Sequence, residues 1–139
     1  MVAWCHGAPG IGLARLDSLA YFDDDTVRSE IDAAFQTTLA HGFGANHCLC
    51  HGDMGNLEFV QSAIRRLSLK QHEEQVRNLT SMLLDSIEKE GWVTGVPMGV
   101  ETPGLMLGIA GIGYQLLRLA SPERIPSVLL LASPSIVAP

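Results

Sequence analysis

Trp4-Cys5-His6-Gly7-Ala8-Pro9-Gly10 and Leu49-Cys50-His51-Gly52-Asp53-Met54-Gly55 decide how this chain is read. Each stretch sets a Cys-His pair directly before Gly-x-x-Gly, and each is followed by a segment with helical periodicity. Aligning the glycines uncovers a third copy, Met106-Leu107-Gly108-Ile109-Ala110-Gly111-Ile112, which keeps the glycines and has lost the Cys-His pair. The copies lie 45 and 56 residues apart, the length of a helical hairpin with its loop. Periods of this size signal repeated helix pairs.

Working outward, the pattern predicts five helices and no sheet. The first starts near Pro9, a residue suited to an opening turn, and runs to about Tyr21. The second follows Asp23-Asp24-Asp25, whose carboxylates favour a helix N-terminus. Its apolar face is Val27, Ile31, Ala34, Phe35 and Leu39, and His41-Gly42 ends it. The third, Asp53 to Leu69, buries Leu57, Val60, Ile64 and Leu67. The fourth, Gln71 to Glu90, buries Val76, Leu79, Leu83 and Ile87 before Gly91 stops it. Thr102-Pro103 reads as an N-cap followed by Pro in the first turn, opening a fifth helix to Ala120. Ser121-Pro122 and Pro126 then break the pattern, so Val128 to Leu131 is expected as an extended tail on an apolar surface.

Helices of about 14 residues run about 20 Å out and the same distance back. Cys50 therefore returns to the end where Cys5 began, and three helix N-termini gather there. Thiolate and imidazole are the side chains zinc prefers, so Cys5, Cys50 and His51 form the preferred metal set. Three ligands leave a position open for a substrate. His6 stands at the repeat position of His51 and could instead close the site, making the metal structural. Cys48 reads as a small buried thiol, and His47 as a group that could support the site from behind. His41 suits a helix C-terminus, and His72 the surface.

Composition limits the alternatives. The 139 residues make at most one domain, 47% hydrophobic and 17% charged with a net charge of −6. The mean hydropathy of +0.20 is high for a small free-standing domain, which suggests an interior shared with further chain or a partner. An acidic chain without a Lys/Arg stripe is no nucleic-acid surface. The apolar run from Gly104 to Leu117 is too short and glycine-rich for a membrane span. No basic segment precedes an apolar run, so no secretory signal is expected. Three cysteines make no disulfide framework, and two directly before histidines suggest reduced ligands in the cytoplasm. With Met1 only three residues before Trp4, the chain is expected to continue something longer.

Three passages carry a family resemblance across nearly the whole chain. They are Trp4 to Gly10, His47-Cys48-Leu49-Cys50-His51-Gly52-Asp53-Met54-Gly55-Asn56, and Pro103-Gly104-Leu105-Met106-Leu107-Gly108-Ile109-Ala110-Gly111-Ile112-Gly113-Tyr114. They resemble the C-terminal part of a lanthionine synthetase C-like cyclase. The wording of the first, with the closing Arg118 to Leu131 segment, looks most like the cyclase half of the bifunctional class II lanthipeptide synthetases. The resemblance implies an all-α fold, an α/α toroid of seven inner and seven outer helices, with residues 1–139 as a C-terminal fragment holding about three inner ones. It implies Zn2+ on Cys5, Cys50 and His51, and a dehydrated lanthipeptide precursor as substrate. It further implies zinc-dependent thioether ring formation, a peptide cysteine thiolate adding to dehydroalanine or dehydrobutyrine. The family's acid/base residues lie upstream of the zinc cysteines and match no position here, so the rest of the same enzyme is an implied partner. The other readings are a structural-zinc helical domain and a peptide-binding relative without turnover.

Overall fold

The computed structural model describes residues 2–133. Five helices account for its regular structure: α1 (Ala8–Ser18), α2 (Asp25–His41), α3 (Asp53–Leu67), α4 (Glu73–Glu90) and α5 (Ile109–Ala120). Short 3-10 turns at Lys70–His72 and Pro97–Gly99 precede α4 and lie within the α4–α5 loop. Among the described residues there is no strand, only an isolated bridge between Ala3 and His6. The all-α expectation therefore holds.

The periodicity explains which helix lies where. In α3 every residue from Asp53 to Val60 is buried, the mark of a helix enclosed on all sides. It touches α1, α2, α4 and α5, and Met54, Leu57, Phe59, Val60 and Ala63 form the centre of the core. On the α1–α2 hairpin, Leu13 and Leu16 meet Ile31, Ala34 and Phe35 in the same cluster. A side chain at Gly12 would occupy the space of the Phe59 ring. Asp24 starts α2 as expected, its carboxylate accepting from the Val27 N–H at 2.9 Å. Only Val76 and Leu83 of α4 are buried, so α4 is an outer helix with one apolar stripe. Gly91, at φ 79°, ends it.

Behind α3, Glu58 is 1% exposed. It accepts from the Ser127 hydroxyl, and its Oε1 lies 3.3 Å from Arg118 Nε on α5. This pair fastens the segment after α5 to the central helix. Burial pushes the Glu58 carboxyl above its usual range, and Ser127 and Arg118 pull it part of the way back.

Two expectations fail. The fifth helix opens at Ile109 with Gly108 as its N-cap, not at Pro103 after Thr102. The Thr102 carbonyl instead accepts from the Ile109 N–H at 2.8 Å, and Gly104 accepts from Gly108 at 2.9 Å. Residues 102–108 thus fold into a tight loop ahead of the helix, and the Thr-Pro pair marks the loop. The third Gly-x-x-Gly locates the start better, since Gly7, Gly52 and Gly108 are the N-caps of α1, α3 and α5. The second failure is the tail. Val128 to Leu131 forms a turn closed by Leu131 N–H to Val128 carbonyl at 3.2 Å, with the Ser127 hydroxyl accepting from Leu130 N–H. Leu129 still enters the core, so the apolar anchor holds and the extended backbone does not.

Candidate metal centre

The starts of α1, α3 and α5 come together at one end, joined through matching residues of the three repeats. The Cys5 N–H donates to the Cys50 carbonyl at 3.1 Å, and the Cys50 N–H donates to the Met106 carbonyl at 2.9 Å. The second glycine of each motif makes this approach possible. A Cβ at Gly10, Gly55 or Gly111 would overlap the carbonyl oxygen of Trp4, Leu49 or Leu105, in each case the residue six positions earlier. Each motif is thus a loop folded tightly onto the first turn of its own helix, with the Cys position carried at the rim.

This arrangement brings Cys5, Cys50 and His51 to one point. Their two sulfurs and one ring nitrogen all lie within 4.8 Å of one another. Ligands sharing one tetrahedral zinc sit roughly 3.3–3.8 Å apart, so a small closing motion suffices. The donor set, two sulfurs and a nitrogen, suits zinc among the common divalent ions. Cys5 is exposed while Cys50 and His51 are half-buried, so the group opens to one side. Burial, with Cys5 as hydrogen-bonding neighbour, pushes the Cys50 thiol up to about 12. A thiol held so high keeps its proton unless a cation stands beside it.

The neighbouring candidates do not join the group. His6 is exposed, its backbone turned by an N–H bond to the Ala3 carbonyl at 3.2 Å. Cys48 is fully buried, and its sulfur accepts from the His51 N–H at 3.4 Å. Burial raises its thiol as well. Neither His6 nor Cys48 supplies a fourth ligand to this cluster.

His47 is engaged elsewhere at both ring nitrogens. Its Nδ1 accepts from the Val93 N–H at 3.1 Å, and Nε2 lies 3.1 Å from the Ser86 hydroxyl. The ring therefore pins the loop before α3 to the end of α4. Burial lowers its pKa, with the charges of Asp53 and Glu90 opposing the shift. Unfolded, this imidazole takes a proton near pH 6.5; folded, it resists until a lower pH. Its contribution to stability is then complete above about pH 6.5 and is lost as pH falls through the folded value. Thermal melts of the metal-free chain between pH 7.5 and 5.5 should fall more steeply than those of His47→Gln. Parallel pH profiles would show that His47 is not held neutral.

Two supporting residues lie outside the site set expected from the sequence. Asp53, buried at the first turn of α3, accepts from the N–H groups of Gly44 and Ala45 at 3.0 and 3.5 Å. Burial raises its pKa while those two N–H groups lower it. The loop ahead of the second motif is fastened in this way. The other is Gly95, whose carbonyl lies 3.2 Å from His51 Nε2. No local pattern reveals a contact between residues 44 positions apart.

Paired helices whose N-termini meet around two thiols and an imidazole define a helical-repeat protein with a metal-type donor set at its shared end. Residues 1–130 match the family described as Lanthionine synthetase C-like protein, and the chain belongs to that family. It is similar to the "Lacticin 481/lactococcin biosynthesis protein LcnDR2" of Lactococcus lactis subsp. lactis, at 31% identity over 128 residues. That alignment takes in 83% of this chain and 14% of the relative, so the chain spans a small part of the relative's length. No solved structure matches it. No helix among the described residues is long and apolar enough to cross a membrane.

Proposed function

We propose that the chain is the zinc-bearing part of a lanthionine cyclase, acting in lanthipeptide biosynthesis on a dehydrated precursor peptide. The observation that carries this reading is the convergence of Cys5, Cys50 and His51 within 4.8 Å at the joined starts of α1 and α3, in a chain of this family. Those three side chains hold the metal. Zinc bound there supplies the positive charge that keeps a peptide cysteine as thiolate, the nucleophilic form, at neutral pH. In the reaction the sulfur forms a bond to the β-carbon of dehydroalanine or dehydrobutyrine, the double bond is lost, and the α-carbon gains a proton. The starts of α1, α3 and α5 meet at that end, and their dipoles would favour an anionic sulfur there.

Three protein ligands leave a fourth position, and the exposed side of Cys5 is where a peptide thiol enters. The proton donor and the rest of an α/α toroid would lie outside these residues, in keeping with the much greater length of the relative. Ile11 on α1 and Leu117 on α5 stand 54% and 61% exposed, where neighbouring helices of a toroid would cover them. A cytoplasmic setting follows from the need for reduced thiols.

Metal loading tests the proposal. The reduced chain should take up one zinc, and the cobalt-substituted form should show sulfur-to-metal charge-transfer bands with a four-coordinate spectrum. Added N-acetylcysteine methyl ester should shift that spectrum by entering the fourth position. A chain that binds no metal, or a spectrum unmoved by the thiol, overturns the catalytic reading. The second of these results is the one a closed structural site would give.

A further inference from the structure

The loop between α4 and α5 passes against His51 as a strap tied down on both sides of Gly95. At one side the Val93 carbonyl accepts from the His47 N–H at 2.8 Å, and the Val93 N–H donates to His47 Nδ1. At the other, the Gly95 N–H donates to the Leu107 carbonyl at 2.8 Å, next to the third repeat's Gly108. Between them the buried Thr94 folds its hydroxyl onto the Val100 carbonyl at 2.7 Å. The strap is thereby fixed against two of the three motif loops. Its Gly95 carbonyl oxygen sits 3.2 Å from His51 Nε2.

A carbonyl oxygen only accepts, so the hydrogen of that bond resides on Nε2. A neutral imidazole carries one hydrogen, which leaves the lone pair on Nδ1. We propose that Gly95 is a positioning residue for His51: its carbonyl holds the ring so that Nδ1 is the nitrogen that meets a metal shared with Cys5 and Cys50. This rests on the zinc reading given above and extends it to the residue that aims the histidine. Metal-binding histidines generally donate their other ring N–H to a carbonyl or carboxylate, and loss of that partner weakens metal binding by about 10–100-fold.

The same position excludes a side chain. A Cβ at residue 95 would lie 2.6 Å from Cys48 Sγ, 3.0 Å from His51 Nε2 and 3.1 Å from His51 Cε1. Gly95 is not among the glycines with positive φ, which are Gly7, Gly44, Gly91 and Gly99. Its backbone therefore suits any residue, and the need for glycine is one of contact. Adding a methyl group must push the strap outward or rotate the His51 ring. Either movement lengthens the bond that sets the nitrogen.

The decisive measurement uses the full 139-residue chain with 15N-labelled histidine, loaded with zinc. Long-range 1H–15N spectra should show His51 protonated at Nε2 and metal-bound at Nδ1. In chelator competition Gly95→Ala should bind zinc about 10-fold more weakly or worse. Gly113→Ala, where an added Cβ meets nothing within 4 Å, should bind like the parent. If Gly95→Ala does not fold, the pair Cys48→Ala/Gly95→Ala removes the tightest contact and keeps the one to His51; it should bind more weakly than Cys48→Ala alone. Coordination through Nε2, or unchanged affinity in the variant that folds, overturns the role of Gly95 and leaves the metal centre standing. A parent chain that takes up no zinc overturns the functional reading and this inference together.

Discussion

Replacing Cys50 by Ala should abolish stoichiometric zinc binding, while replacing Cys48 by Ala should preserve it. The two cysteines are separated by one residue, yet the backbone turn at 49–52 sends them to different places. The Cys50 sulfur belongs to the group with Cys5 and His51. Cys48 is fully buried and serves as acceptor for the His51 N–H. Removing Cys50 deletes one of three ligands and leaves a Cys-His pair, which any chelator of moderate strength outcompetes. Removing Cys48 leaves one backbone N–H short of a weak acceptor, a loss of about 1 kcal/mol in stability and not in metal stoichiometry. Metal analysis after gel filtration, paired with thermal melts, reads both effects. Zinc lost from Cys48→Ala and kept by Cys50→Ala would show that the ligand assignment is wrong.

Much of this arrangement was legible because the repeat states it three times. Two Cys-His pairs at equal offsets from Gly-x-x-Gly place two thiols at matching helix starts, and hairpin lengths return those starts to one end. Bonds from Cys5 to Cys50 and from Cys50 to Met106 are the physical form of that alignment. The fifth helix shows how a local signal misleads. Thr102-Pro103 has good capping chemistry, but Gly108 wins because a loop folded over the helix start supplies the carbonyl of Thr102 to the first free N–H. What could not be read are the contacts made by the α4–α5 loop and by the segment after α5. His47 with Val93, His51 with Gly95 and Glu58 with Ser127 join positions far apart in sequence. They depend on how the loops drape over finished helices, and no periodicity encodes that.

Gly55→Ala should destabilise the chain strongly for a single added methyl group. The glycine lies in the first turn of α3, the central helix, and its missing Cβ is the space taken by the Leu49 carbonyl oxygen. Trp4 Cβ lies 3.5 Å from the same point, an ordinary packing distance, so the Leu49 carbonyl is what the added methyl group must displace. Backbone is the obstacle, and backbone cannot rotate away as a flexible side chain can. Overpacking of a filled core costs about 1–3 kcal/mol and occasionally more; here the upper part of that range is expected, because α3 is buried all round from Asp53 to Val60. Gly10→Ala and Gly111→Ala meet the equivalent carbonyls of Trp4 and Leu105 and should follow in the same direction. Gly113, two residues beyond Gly111 on the same helix, supplies the contrast. Nothing lies within 4 Å of a Cβ there, so Gly113→Ala should gain about 0.5–1 kcal/mol from helix propensity alone. Urea unfolding of the four variants would therefore spread in both directions from the parent. Equal small changes at Gly55 and Gly113 would mean that the motif loops do not close onto their helices, and the shared end that gathers Cys5 and Cys50 would lose its structural basis.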